Sequence, residues 1–182
     1  MPTVLTHAAA AAALTPAFPR SAVPRRLILL ASACAMAPDI DVIGFRFGIH
    51  YGDLLGHRGL SHSIVFAAAL SVVALLAALP SVVGTAHRLI LWVYFFAATA
   101  SHGVLDAFTD GGLGVALLSP FDATRYFFPF RPIEVSPIGA RFFSARGVSV
   151  LQSEFVWVWL PFIVFAVVAF AVRRAFSSHE QV

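Results

Sequence analysis

Apolar residues fall along this chain in runs of helical length, broken at a few points by proline, glycine and charge. Residues 3–18 are apolar and alanine-rich, and the run closes at Pro16 and Pro19. A short basic turn from Arg20 to Arg26 leads into Leu27–Ala37, which is apolar but halts at Pro38. A membrane-crossing helix needs about 20 predominantly apolar residues, so this second segment is expected to be a buried or half-depth helix. Proline lacks a backbone donor and disfavours helical geometry in the residue before it, and a polar, glycine-dotted loop is expected over 38–60. Residues 61–79 form a strong span ended by Pro80, and Arg88 to Phe108 a second. Residues 109–153 are a long mixed loop rich in Gly, Pro, Phe and Arg, and 154–172 are a third span stopped by Arg173-Arg174. The tail from Ser177 to Val182 is expected to be disordered, leaving residues 1–176 as one membrane-embedded domain. No internal repeat is visible. The pattern predicts an all-α integral membrane bundle of about four or five helices with a long polar loop.

Composition strengthens the membrane reading. Hydrophobic residues make up 59% of the 182 and charged residues 12%, about half the charged share of a soluble domain. All 12 basic residues are arginine, and Arg25-Arg26 and Arg173-Arg174 sit beside apolar segments. That placement suits anchoring at a membrane surface; no continuous basic face for nucleic acid is visible. Cys34 is the single cysteine, which excludes an intrachain disulfide. A cleaved signal peptide is not expected, because the first basic residue is Arg20 and a secretory leader is positive ahead of its apolar stretch.

Against this background the placement of histidine and aspartate changes the picture. Four histidines and four aspartates fall into four short clusters: Thr6-His7, Pro38-Asp39-Ile40-Asp41, His57-Arg58-Gly59-Leu60-Ser61-His62-Ser63, and Ser101-His102 through Asp106 to Asp110. An ionisable group buried in an apolar bundle is costly unless it is paired or holds a metal, and imidazoles with carboxylates are what a divalent metal takes. His102 and Asp106 are one helical turn apart and face the same way. Asp39 and Asp41 follow the expected helix end at Pro38, and Ser61 is placed to cap the next helix. Arg58 has the fork geometry to hold a phosphate or carboxylate. Glu154 opens the last span, where a carboxylate also suits the helix dipole. His50, His87 and His179 are read as non-ligands, and Asp110 and Asp122 as turn residues.

Alternating the segments across a bilayer brings His7, Asp39/Asp41, His57–Ser63, His102/Asp106 and Glu154 to one end. The Arg20–Arg26 turn, Arg88 and Arg173-Arg174 fall at the other. The positive-inside rule then puts the polar site on the outer face.

These ordered motifs resemble the YdjM-like inner-membrane proteins, a family of predicted membrane-bound metal-dependent hydrolases. The resemblance covers residues 3 to 160: Thr6-His7, Pro38-Asp39-Ile40-Asp41, His57-Arg58-Gly59, Ser61-His62-Ser63, Ser101-His102, Leu105-Asp106, and a Gly-rich turn leading to Ser119-Pro120. The family is also distantly similar to zinc-dependent phospholipase C and P1-type nucleases. Those enzymes tend to use glutamate where this chain has Asp106, so metal number and identity do not carry over.

The combined expectation is an inner-membrane, multi-pass, metal-dependent hydrolase acting on an ester or phosphoester that is membrane-lipid or lipid-linked, with no nucleic-acid partner. The expected ligands are His7, Asp39, Asp41, His57, His62, His102 and Asp106. Seven exceed one tetrahedral shell, so they imply two metals or one metal with supporting partners. Zinc is the leading ion, manganese the second. Asp41 or Glu154 is the expected general base, and Arg58 the anion-holding group. The competing expectations are a metal- or proton-coupled transporter and a non-catalytic membrane protein locked by a structural metal.

Overall fold

The structure is a computed structural model that describes residues 1–78 and 84–179. Among them the fold is all-helical, with no strand beyond two isolated bridges, Thr109 to Ile133 and Val115 to Tyr126. Helix α1 spans Val4–Leu14 and runs on into a 3-10 turn, Thr15–Ala17. Helix α2 spans Arg25–Met36 and continues as a 3-10 run, Ala37–Phe47. After the short 3-10 turn Leu60–His62 come α3 (Ile64–Ala78) and α4 (Thr85–Ala107). The last rod is α5 (Ala145–Glu154), a π-turn (Phe155–Trp159) and α6 (Leu160–His179).

Small residues determine how closely these helices pack. Ala11, Ala31, Ala35 and Ala98 are buried where α1, α2 and α4 meet, around Leu91, Tyr94 and Phe95. Alanine lets helix backbones approach in an apolar solvent where hydrophobic collapse supplies little drive. The Tyr94 hydroxyl is satisfied inside this core by Thr15 Oγ1 at 2.9 Å. At the N-terminus of α1, the Thr3 side chain accepts from Thr6 N. The π-turn inserts an extra residue into the last rod, as such bulges do. There Trp159 Nε1 donates to Thr6 Oγ1 at 2.7 Å and ties the rod to α1.

Pro38 does not stop the second helix. It falls in the first turn of the 3-10 run, where its missing donor leaves no gap, and Ala37 N–H still reaches the Ala33 and Cys34 carbonyls. The expected half-depth helix and the start of the expected loop over 38–60 therefore merge into one run, Arg25–Phe47, of membrane-crossing length. The last rod begins at Ala145, inside the expected 109–153 loop. Helix α3 covers Ile64–Ala78, and its expected stop at Pro80 lies outside the described residues. Ser177 to His179 continue α6, and the rest of the expected tail, 180–182, also lies outside. Among the described residues, three stretches are long and apolar enough to cross a membrane: Arg25–Phe47, Thr85–Ala107 and Ala145–Phe176.

The two ends of the bundle differ in chemistry. At one end Arg173 donates to the Pro16 and Phe18 carbonyls, Arg20 lies over the Phe170 ring, and His87 donates to Ala22 O. At the other end the 108–144 segment folds back over the helix ends, burying Val115 and Ile133 and stacking Phe108 on Phe128. Beneath it lie the histidines and aspartates.

Candidate metal centre

Four side chains from three elements converge at this end: Asp39 from the 3-10 run after α2, His62 from the turn before α3, and His102 and Asp106 from α4. All four are buried. One turn of α4 separates His102 from Asp106, and between them Gly103 makes room for the His62 turn. A Cβ at Gly103 would stand 2.5 Å from His62 O.

The outer nitrogens of the two imidazoles are committed to other partners. His102 Nδ1 donates to Ala35 O at 2.6 Å. His62 Nδ1 lies 3.1 Å from Asp41 Oδ2. Both rings therefore carry the proton on Nδ1 and turn bare Nε2 lone pairs inward. These two Nε2 atoms are 3.0 Å apart. Asp39 Oδ1 lies 3.3 Å from His102 Nε2 and 3.6 Å from His62 Nε2, and Asp106 Oδ2 lies 3.4 Å from His62 Nε2. Four electron-rich atoms crowd one point; among the described residues the Asp39 oxygens have no hydrogen-bond donor, and Asp106 is faced by the Arg58 guanidinium at 3.0 Å. Such a set has the chemistry to hold a cation at its centre. Tetrahedral ligands bound at about 2.0–2.2 Å would sit roughly 3.4 Å from one another. The observed separations fit that spacing.

Around this core lies a second layer. Asp41 accepts from His57 Nδ1 at 2.7 Å, Ser61 Oγ at 2.6 Å and Arg58 N at 3.3 Å, besides facing His62. It orients two imidazoles, the outer-shell arrangement that fixes tautomer and ring direction in metal sites. His57 stands edge-on to His62 at 5.3 Å, backed by Tyr51. Asp41, His57 and His62 form a second, overlapping group with cation-binding spacing, although here N–H donors satisfy the carboxylate. His7 stacks on His102 at 3.6 Å, with Nε2 3.6 Å from Asp106 Oδ1 and neither ring nitrogen hydrogen-bonded. All seven expected ligands thus meet at one end of the bundle: four in the core, His7 beside it, and Asp41 and His57 behind it.

Two expected roles take a different form. Arg58 does not face outward. Its side chain is fully buried, with Nε 3.0 Å from Asp106 Oδ2, and its other nitrogens donate to Gly111 O and Thr109 Oγ1. It balances the charge of Asp106 from behind. Its backbone is left-handed, φ 61°, and the same segment accepts from Ala116 N. Glu154 is separate from the cluster. Its carboxylate accepts from Thr3 N, Thr3 Oγ1 and Thr6 Oγ1, and this locks α1 to the last rod. The helix cap falls to Ser63, which receives Phe66 N–H, while Ser61 serves Asp41.

Of the residues read as bystanders, His50 is exposed beside Asp53, Asp122 caps Thr124, and Asp110 receives Val135 N–H. Two supporting residues went unseen in the sequence. Thr109, one turn beyond Asp106, had a readable spacing; the Ala35 carbonyl had none, because every residue has one.

A helical bundle with membrane-length apolar rods and a buried His/Asp cluster at one end belongs to the class of helical membrane proteins. Residues 1–176 match the family described as YdjM inner membrane protein, and the chain belongs to that family. It is 40% identical over 166 residues to inner membrane protein YbcI of Escherichia coli (strain K12), covering 88% of this chain and 92% of that protein. No solved structure matches.

Proposed function

We propose that this chain is a multi-pass membrane hydrolase that holds one divalent metal, zinc or manganese, at Asp39, His62, His102 and Asp106, and cleaves an ester or phosphoester at the outer face of the membrane. The observation that carries the reading is the pair of inward Nε2 lone pairs, 3.0 Å apart, whose outer nitrogens are already committed. A proton satisfies one such contact but not the two carboxylates as well. When bound, the metal supplies Lewis acidity and lowers the pKa of water. Asp41 and Ala35 O hold the imidazoles in the ligating tautomer. Arg58 holds Asp106 in place and offsets its charge. His7, buried without a hydrogen-bond partner beside Asp106, is placed to take a proton at Nε2. Confinement of the cluster to one end favours catalysis over transport. A transport path needs ionisable groups through the midplane, and the described parts of α3 and of α6 before Arg173 have none.

The test is metal content by elemental analysis of detergent-purified protein, wild type beside His102→Ala, followed by turnover of bis(p-nitrophenyl) phosphate. One equivalent of zinc or manganese in wild type, absent from the variant, with metal-dependent turnover, is expected. No metal after reconstitution, or equal content in both proteins, would overturn the site. Metal without turnover of esters or phosphoesters would favour a structural ion.

A further inference from the structure

Resting on the hydrolase reading above, we infer that the substrate is a lipid. Its hydrocarbon chain lies in the apolar groove between the start of α1 and the end of α2, and its ester or phosphoester meets the cluster at Asp39. A groove of about 570 Å³ runs along Val4, Leu29, Ala33, Met36, Ile40 and Ile43 and ends at Asp39. A second cavity of about 330 Å³, walled in part by Leu5, Val42, Ile138 and Phe142, ends at the same residue. Both are within the size range of small-molecule sites, roughly 300–1,000 Å³. Among the described residues Asp39 is the only ionisable side chain in either lining.

Asp39 is also the wall between the groove and the centre. Its side chain is 5% exposed, whereas those of His62, His102 and Asp106 are fully buried. On its other sides the cluster is covered by side chains. Arg58 and Thr109 seal the side of Asp106, and the Asp41–His57 pair with Tyr51 seals the side of His62. His102 is shut in by Ala35 and the stacked His7 ring.

The outer walls of the groove suit hydrocarbon better than water. Leu29 is 74% exposed, Ile40 63% and Ile43 50%, and all lie on the membrane-length stretch Arg25–Phe47. A water-borne substrate gains nothing from crossing such a surface. An amphiphile buries its chain there, at roughly 0.8 kcal/mol per methylene, and brings its polar linkage to the one ionisable side chain of the lining. A cation among these ligands would complement the negative charge of a phosphoester.

The experiment uses a phosphatidylglycerol carrying a photoreactive diazirine in one acyl chain, in proteoliposomes with full-length protein. Crosslinks are mapped by peptide mass spectrometry. Val164, Val167 and Val168 of α6, exposed at 55%, 62% and 54%, report contact with bulk lipid in the same molecules. Labelling of the Leu29–Ile43 stretch should exceed that of α6 several-fold. Ala33→Trp, which fills the groove from an exposed position, should bring it down to the α6 level with metal content unchanged. Ile43→Trp makes the same test if Ala33→Trp fails to hold metal. Labelling no higher than on α6, or insensitive to both variants, would overturn the groove.

Turnover separates this outcome from the fate of the hydrolase reading. Ala33→Trp should keep cleavage of soluble bis(p-nitrophenyl) phosphate and lose at least tenfold on the phospholipid. Equal loss on both, or on neither, would overturn the chain-binding role while leaving the hydrolase standing. Groove labelling with no turnover of either compound would remove the hydrolase and, with it, the substrate assignment.

Discussion

Both oxygens of Asp41 are occupied by donors, from His57 Nδ1, His62 Nδ1, Ser61 Oγ and the Arg58 amide. A carboxylate so engaged is a poor proton acceptor, and its influence passes through the rings that it orients. The two candidate roles of Asp41 separate in one variant. Asp41→Asn keeps the shape but offers one acceptor where two were used, so His62 loses the partner that fixes its tautomer. Such outer partners are worth about 10–100-fold in metal affinity. A competitive chelator titration should therefore show Asp41→Asn binding zinc roughly 10–100-fold more weakly, with phosphodiester turnover restored at saturating zinc. If affinity is unchanged while turnover stays lost at saturation, Asp41 is the general base. Arg58 shows the same lesson in a cation. The sequence suggested a fork for a phosphate or carboxylate of a ligand, but its guanidinium is spent on Asp106, Thr109 and Gly111. Next to it Gly112, with φ 91°, must remain glycine, because a Cβ there would lie 2.7 Å from the Tyr51 hydroxyl.

Helix α4 is the element that most nearly reveals the centre, and its geometry gives a prediction with a definite sign. On helix propensity alone Gly103→Ala should stabilise α4 by about 0.8–1 kcal/mol. The structure argues the reverse, since the added methyl would stand 2.5 Å from His62 O, a backbone atom that cannot swing aside. Overpacking of this kind costs about 1–3 kcal/mol, and the shift also draws His62 away from His102. Gly103→Ala should lower the thermal midpoint in detergent and reduce bound metal; a higher midpoint with full metal content would show that the contact is slack. The His102–Asp106 pairing was legible because helical spacing alone puts them on one face. The meeting of four separate clusters at one end was legible because apolar length alternates the chain between ends. Three features were not. Pro38 reads as a stop, yet a 3-10 run accepts proline in its first turn, so the second rod continued to Phe47. Glu154 reads as a site carboxylate, yet Thr3 N takes one of its oxygens and the Thr3 and Thr6 hydroxyls the other, all far off in sequence. The cap at α3 went to Ser63 and not Ser61, a choice between neighbouring serines that only the approach of Asp41 decides.

At the scale of the whole molecule the open question is which way the bundle faces, and arginine counts alone do not answer it. Six arginines lie at each end: Arg20, Arg25, Arg26, Arg88, Arg173 and Arg174 at one, Arg46, Arg58, Arg125, Arg131, Arg141 and Arg146 at the other. Two arginines at the His/Asp end are neutralised by carboxylates: Arg58 is buried against Asp106, and Arg146 pairs with Glu134. Arg125 and Arg131 also sit toward the middle of the 108–144 segment, near the edge of the window from a rod end over which charge sets orientation. The opposite six lie in short turns or directly beside apolar rods, where charge does govern insertion. The arginine end should therefore face the cytoplasm and the His/Asp end the outer side. Cys34 is buried and is the only native thiol, so a Cys34→Ala background permits single reporters. Phe121→Cys, at a site 88% exposed in the loop over the cluster, should react with a membrane-impermeant maleimide in intact spheroplasts. Ser21→Cys, exposed in the turn at the arginine end, should react only after the membrane is opened. The reverse pattern would turn the cluster toward the cytoplasm, and a lipid substrate would then have to come from the inner leaflet.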